Sequence, residues 1–280
     1  MSSWKPLGLI AAGRLSNSLL LRRPALSRHI GPVVALDRRL ASRYSNSLRA
    51  GAAAEVEDLH ACGLVLIQAA GSSLDSLLPL LCGAGPWKGS HFALLSSDRD
   101  ASALGPLRAE GAKVCSVALA PSAGRDLVVA EGDRRAVLLT RQWLSEAHMR
   151  CLELAPGRKP LFRLGLLAAR GLLAPLLDAA LMSLRASGLS AAEARRMLQV
   201  AAGASIQAFG ARGRKVMEDP AAPGRTLLLE LGLAQAARSR PGLAEFLGEV
   251  LEAAGRFYAA PPAAGRTEDS RVPGRAAGIP

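Results

Sequence analysis

The first residue here with a clear chemical reading is Gly13. It follows the apolar run Leu7-Gly-Leu-Ile-Ala-Ala12 and precedes Arg14-Leu-Ser-Asn-Ser18, a stretch compatible with the start of a helix. A glycine between a strand and a helix lets backbone N–H groups at the helix N-terminus approach a phosphate closely. The spacing that cradles a pyrophosphate is G-x-G-x-x-G, and its three positions here are Ala11, Gly13 and Ser16. One glycine remains, and both replacements are small. Ala11, Ala12, Gly13, Arg14 and Leu15 are therefore candidate cofactor-binding residues. The same segment also reads as a plain strand–helix turn that holds no dinucleotide.

Further along, Asp37-Arg-Arg39 closes a second apolar run, Pro32–Leu36. An acid at that distance suits the ribose 2′-hydroxyl of NAD, whereas arginines suit the 2′-phosphate of NADP. Asp37 and Arg38 are candidates, and the choice between NADP and NAD stays open. Ser96-Ser-Asp98 follows the apolar run Phe92–Ser96, at the kind of strand end where ligands of open parallel sheets bind. Ser96 could hold substrate or nicotinamide, or the serines could merely cap the next helix. His29, His60, His91 and His148 share no metal-ligand spacing, and no metal site is expected. Cys62, Cys82, Cys115 and Cys151 form no C-x-x-C pair. They suggest neither zinc nor a disulfide framework, but a reducing cytoplasm. No Walker loop, H-E-x-x-H pair or G-x-S-x-G elbow occurs.

The elements that must position these residues follow from apolar patterning. Half of the 280 residues are hydrophobic and 4% are aromatic, so a large core is possible but few rings can stack on bases. The net charge of +12 is almost all arginine, spread without a block of five like charges. Nucleic acid is not the expected partner. Short apolar runs at Leu7–Ala11, Pro32–Leu36, Gly63–Ala69, Phe92–Ser96, Ala112–Val117 and Leu127–Glu131 read as buried strands. Helix-compatible stretches lie between them at Leu15–Arg23, Ala41–Ala50, Leu74–Leu81 and Ser102–Glu110, and Arg134–His148 closes this half. Alternation of this kind predicts βαβ units. Residues 1–36 also have the basic, serine-rich composition of a transit peptide, but the first βαβ unit explains them in order and is preferred.

After the turn-rich linker Ala155-Pro-Gly-Arg-Lys-Pro160 the strands stop. Leu161–Ala186 predicts one long helix with Pro175 kinking it. Ser190 and Glu193 predict a capping box at the next helix, which runs to about Phe209. Two more helices are expected near Thr226–Arg238 and Gly242–Tyr258. No wholly apolar run reaches the roughly 18 residues of a membrane span, since Arg163, Arg170 and Asp178 interrupt the nearest one. No membrane partner is expected. The fold class is an α/β Rossmann-like doubly wound parallel sheet followed by an all-α C-terminal domain. The Rossmann-like domain covers residues 1–155, the helical domain 156–258, and a disordered tail 259–280.

Several segments carry a resemblance to a known family. Val33-Val-Ala-Leu-Asp-Arg-Arg39, Leu104-Gly-Pro-Leu-Arg-Ala-Glu-Gly-Ala-Lys-Val114, Ala130-Glu-Gly-Asp133 and Leu176-Leu-Asp-Ala-Ala-Leu181 resemble the bacterial family that pairs a Rossmann-like domain with the domain of unknown function 2520. That family is similar to 6-phosphogluconate dehydrogenase, ketopantoate reductase and pyrroline-carboxylate reductase. The resemblance implies NADP or NAD as cofactor and a small-molecule substrate in the cleft between domains. It places Ala69 and Ala70 where the family has a Val-Pro-Asp turn facing the nicotinamide. It places Lys159 near the cofactor cleft as a candidate general acid; Ser96 is the other catalytic candidate. The chain departs from the family where ligand is expected. Ala118 stands for a histidine, Phe162-Arg163 for Tyr-His, and Arg170-Gly171 for Ser-Asn.

Two functional readings follow: an NAD(P)-dependent oxidoreductase acting on a small metabolite, or a non-catalytic dimeric binding or scaffold protein that keeps the fold. The apolar excess of the long helix implies homodimerisation through the helical domain.

Overall fold

The computed structural model describes residues 5–13, 19–69, 71–120, 127–213 and 225–259. Contacts between backbones divide the chain into two units, 1–167 and 168–280. The first is built on eight strands: β1 Leu7–Ala12, β2 Ile30–Val34, β3 Ala52–Ala53, β4 Leu64–Ala69, β5 His91–Leu95, β6 Lys113–Ala120, β7 Leu127–Gly132 and β8 Arg150–Glu153. Their spatial order is β3-β2-β1-β4-β5-β6-β7-β8. Strands β1 to β6 are parallel to their neighbours, and β7 is antiparallel to β6. The six expected strands are present. Residues 121–126, between β6 and β7, are too few for a parallel crossover, so β7 returns as a hairpin partner. Strand β8 pairs parallel to β7. Its sequence, Arg-Cys-Leu-Glu, is half-buried at most and gives no apolar run to read.

Helices α1 Leu19–Arg22, α2 Arg38–Leu48 and α5 Arg134–Ser145 cover one face of the sheet; α3 Gly71–Gly83 and α4 Gly105–Ala109 cover the other. The alternation of a strand sorts β1 between them. Leu7, Leu9 and Ala11 pack with Tyr44, Val137 and Trp143, while Ile10 and Ala12 pack with Leu77, Trp87 and Leu107. Both buried indoles keep a hydrogen bond, Trp87 to the Leu81 carbonyl at 2.7 Å and Trp143 to the Leu26 carbonyl at 3.0 Å. The unit ends in α6, Lys159–Leu167.

The second unit holds α7 Leu173–Ala186, α8 Ala191–Arg212, α9 Arg225–Ser239 and α10 Pro241–Ala259. A π-helical turn, Ala168–Leu172, precedes α7. It is where Pro175 cannot bond the Gly171 carbonyl and its ring would clash there; a wider turn absorbs the mismatch. The capping box forms as expected, with Glu193 N–H to Ser190 Oγ at 3.3 Å and Ser190 N–H to Glu193 Oε2 at 2.9 Å. The helical run Lys159–Ala186 is, by length and composition alone, apolar enough to cross a membrane, with a mean hydropathy of 1.6 in its best window. Among the described residues of the second unit only Ala179, Ala194 and Leu243 are buried hydrophobics. Leu172, Val200, Ile206, Phe209 and Leu231 are all more than half exposed.

Candidate functional site

The strand order reverses direction between β1 and β4, and the crevice at such a switch point is where open parallel sheets bind ligands. Ala12 and Ala69 face each other across it as the last register pair. Gly13 follows at φ +86°, a left-handed conformation that an L side chain rarely adopts. The Tyr44 hydroxyl, from α2, donates to the Gly13 carbonyl at 2.5 Å and fixes the turn. Burial of that phenol, more than any charge, pushes its pKa up. Ala11 and Ala12 lie buried inside β1, and Ala69 ends β4. Arg14, Leu15, Ser16 and Ala70 fall outside the described residues.

At the end of β2, Asp37 is the N-cap of α2, with Oδ1 accepting from Leu40 N–H at 2.8 Å. Arg38 pairs with Glu55 at 3.2 Å, fully at the surface. Asp37, Arg38, Arg39, Leu40 and Arg43 line one open groove.

The second cluster lies at the carboxyl end of β5. Ser96 Oγ donates to Asp98 Oδ1 at 2.6 Å and accepts from Arg99 N–H at 3.2 Å, closing a tight turn. That hydroxyl is the main reason the Asp98 carboxyl titrates below its usual range. Lys159, the first residue of α6, is 1% exposed. Its ammonium donates to the Ser96 carbonyl at 2.6 Å, the Arg99 carbonyl at 2.8 Å and Ser116 Oγ at 2.5 Å. All three protons are used. Burial pulls its pKa down to about 8, against the opposing pull of Glu131. The structure thus brings Lys159 and Ser96 together, but as members of a latch in which the lysine nitrogen is enclosed.

Glu131 completes the latch. It faces Ser116 across the β6–β7 ladder and is 1% exposed. Its Oε1 accepts from Ala101 N–H at 2.6 Å and its Oε2 from Gly157 N–H at 2.9 Å. Acid and amine therefore tie the same two segments, the turn after β5 and the linker entering α6. The Glu-Gly-Asp segment gains a physical reason. Gly132 sits at φ +130°, and a Cβ there would lie 2.5 Å from the Val114 carbonyl. Asp133 accepts from Val114 N–H at 2.8 Å and from Arg108 Nε at 3.2 Å. Glu131, Ser116 and Tyr44 were not among the sequence candidates. The signal for the first two was a polar residue inside an otherwise apolar strand.

Asp98, Arg99, Asp100, Lys159, Pro160 and Arg163 line a cleft of about 250 Å³ beside this latch. Ala118 lies on the stretch of β6 that runs past its last pairing with β5, Leu95↔Val117. In the helical unit Arg170 and Asp178 are exposed. Among the described residues no group of three or more His, Cys, Asp or Glu is placed to hold a metal, and the four cysteines are free thiols.

No protein-family model matches the sequence, and no curated protein matches it. Solved structures do. An imine reductase from Aspergillus terreus, in complex with NADPH4 and dibenz[c,e]azepine, aligns over 91% of this chain and 94% of its own, with a TM-score of 0.66 at 17% identity. A variant imine reductase from Myxococcus stipitatus in complex with NAD+ aligns over 90% and 94%, with a TM-score of 0.67 at 16% identity. A Streptomyces aurantiacus imine reductase aligns over 90% and 95%, with a TM-score of 0.60 at 17% identity. At such identities the likeness establishes the fold: a Rossmann-like α/β half followed by a helical half, as in these reductases.

Proposed function

We propose that the chain is an NAD(P)-dependent oxidoreductase acting on a small metabolite, with the dinucleotide laid across the carboxyl ends of β1, β2 and β4. The observation that carries this reading is Gly13, held in a left-handed turn at the switch point by Tyr44. The groove after β2 fits the 2′-phosphate of NADP better than a bare ribose. Asp37 spends one oxygen on its cap, whereas Arg39 and Arg43 are exposed and form no ion pair among the described residues. When bound, the nicotinamide supplies a hydride. The protein's own residues then bind and orient: the Gly13 turn fixes the backbone at the phosphates, and the latch holds the turn after β5 rigid. Membership of the family with domain 2520 belongs to this reading, supported by the structural use of Glu131, Gly132 and Asp133. The four thiols accord with a cytoplasmic location.

Thermal shift with NADPH, NADP+, NADH and NAD+ tests it. Stabilisation by NADPH above NADH is expected, and its loss in an Arg39→Ala, Arg43→Ala double variant. No shift with any of the four at millimolar concentration would sink the proposal.

The helical unit forms a homodimer in this reading, because three buried hydrophobics cannot sustain its roughly eighty described residues. An apolar groove of about 590 Å³, lined by Leu176, Leu229, Leu233, Leu247 and Leu251 among others, belongs to the surface a second copy would cover. Light scattering should give twice the chain mass at micromolar concentration; a monomer would refute it. One observation favours the second reading, a non-catalytic binding protein: the Lys159 amine is fully engaged. NADPH binding with no turnover on any carbonyl or imine would select it.

A further inference from the structure

The arginines of the α/β unit are scattered in the sequence and gathered in the fold. One face of the sheet is covered by α1 with the short turn after it, by α2 and by α5. Residues 19–28 hold three arginines, residues 38–49 four and residues 134–145 three, and none of these spans holds Asp or Glu. The helices on the opposite face, residues 71–83 and 101–109, hold Asp75 and Arg108 and no other charge. An arginine excess set by composition alone would fall on both faces; this one falls on one.

These arginines gain little from the protein itself. Arg38 reaches Glu55, but Arg22, Arg28, Arg39, Arg43, Arg135 and Arg141 are exposed and form no ion pair among the described residues. Arg38 and Arg39 open α2, and Arg134 and Arg135 open α5, where the helix dipole disfavours cations. The acids that cap these helices are already engaged, Asp37 by Leu40 N–H and Asp133 by Val114 N–H and Arg108.

The face is continuous. Helix α2 packs on β2 and β3, and α5 reaches from β4 to β8, so the surface spans about 30 Å at the usual strand spacing. Between them, the turn after α1 is tied to α5 by the Trp143 indole and by His29, whose Nε2 stands 2.9 Å from Glu146. The aromatic rings of these elements, Tyr44 and Trp143, are buried, so none is presented for stacking on bases. Leu138 is instead 42% exposed, within one turn of Arg134, Arg135 and Arg141. Leu21, beside Arg22, is 36% exposed. Leucines set among arginines suit the boundary between headgroups and acyl chains, which accepts both. A nucleic-acid backbone accepts only the charge.

We propose that this face docks on an anionic lipid bilayer, with headgroup phosphates on the arginines and Leu138 at the acyl boundary. Attachment of this kind needs no membrane-spanning helix. It is independent of the oxidoreductase reading.

Co-flotation with two vesicles tests it, one of phosphatidylcholine alone and one of phosphatidylcholine and phosphatidylglycerol in equal parts. Binding to the mixed vesicle only is expected, falling steeply between about 0.05 and 0.5 M salt as screening sets in. A basic residue at an anionic surface is worth about a fivefold gain in binding. Arg135→Gln with Arg141→Gln should therefore lower partition roughly twenty-fivefold. Lys88→Gln with Arg108→Gln removes the same charge beside and within α4 on the opposite face, and should change partition less than about threefold. Leu138→Ser should lower it several-fold and leave its salt dependence unaltered. All five side chains are exposed, and circular dichroism checks each variant's fold. No vesicle binding by the wild type, equal binding to phosphatidylcholine alone, or unchanged binding after loss of Arg135 and Arg141 overturns the proposal. Tighter binding to mixed-sequence duplex DNA, unaffected by Leu138→Ser, also overturns it and makes the face a nucleic-acid surface. None of these substitutions touches the groove after β2, so NADPH binding and vesicle binding are lost or kept separately.

Discussion

Replacing Lys159 by Met tests the buried latch through its proton. Met keeps the length of the stem and removes the charge. In the folded protein the Lys159 amine titrates at about 8 instead of 10.5, chiefly because burial disfavours the ammonium. A folded-state pKa below the unfolded one means that the native protein gives up its proton first. Between pH 8 and 10.5 the unfolded chain binds more protons, so stability rises with pH through that window. At about 1.4 kcal/mol per pH unit, the whole effect is about 3 kcal/mol, and below pH 8 the protein carries that cost in full. Deprotonation need not open the latch. The Ser116 hydroxyl, which donates to the Arg99 carbonyl at 2.8 Å, can turn to donate to the amine, while the amine keeps its two carbonyl bonds. The assay is urea unfolding of wild type and Lys159→Met, with reductant, at intervals from pH 6 to 10.5. The quantity to plot is wild type minus variant, because the four thiols and the Tyr44 phenol oppose the trend. Cys62 and Cys151 are pushed up to about 11 and Cys115 to about 12, mainly by burial, so their unfolded forms ionise first and stability falls as they do. They cancel in the difference, which should climb by about 3 kcal/mol across pH 8 to 10.5. A flat difference, or one that falls, refutes the account of Lys159 as a buried, desolvated cation.

Three further substitutions probe the same frame. Glu131→Gln leaves one acceptor where Ala101 and Gly157 both donate, and the amide would face an N–H; a loss of about 2 to 3 kcal/mol in urea unfolding is expected, and less than 0.5 kcal/mol would refute the clasp. Gly132→Ala drives a Cβ into the Val114 carbonyl and Cys115, at a backbone angle few side chains adopt. It should cost about 3 kcal/mol or more, and an unchanged melting temperature would refute the reading of that turn. Tyr44→Phe removes the donor to the Gly13 carbonyl; about 1 kcal/mol of stability should go, together with part of the NADPH-induced shift. An NADPH shift equal to that of wild type would separate Gly13 from the cofactor.

Much of the α/β half is legible because its cause is local. A strand buried on both faces must be apolar at every position, so β1, β2, β4, β5, β6 and β7 announce themselves as runs. The capping box at Ser190 is legible for the same reason, since donor and acceptor are three residues apart. What is not legible depends on distant partners. Strand β8 is held by its ladder to β7 and half exposed, so no pattern marks it. The π turn before α7 is invisible in residue type, although Pro175 supplies its cause.

The site divides along the same line. Gly13, Asp37 and Ser96 could be picked out by type and by position at element ends, and Lys159 through the family resemblance. The roles of Gly13 and Lys159 could not, because they are set by residues far away: Tyr44 for Gly13, Ser116 and Glu131 for Lys159. An amine at the head of a helix reads as a proton donor until the β6–β7 pairing puts a hydroxyl and a carboxylate around it. That change bears on the oxidoreductase reading proposed above. With Lys159 enclosed, a carbonyl reduction cannot draw the alkoxide's proton from that amine unless the latch opens. A protonated C=N group needs no such proton: hydride adds to the carbon, the π pair becomes the nitrogen lone pair, and the proton is already in place. The same reasoning predicts that Lys159→Met, if it folds, keeps turnover of a protonated C=N substrate within about tenfold, equivalent to about 1.4 kcal/mol of lost positioning. A loss of three orders of magnitude would return Lys159 to the role of acid.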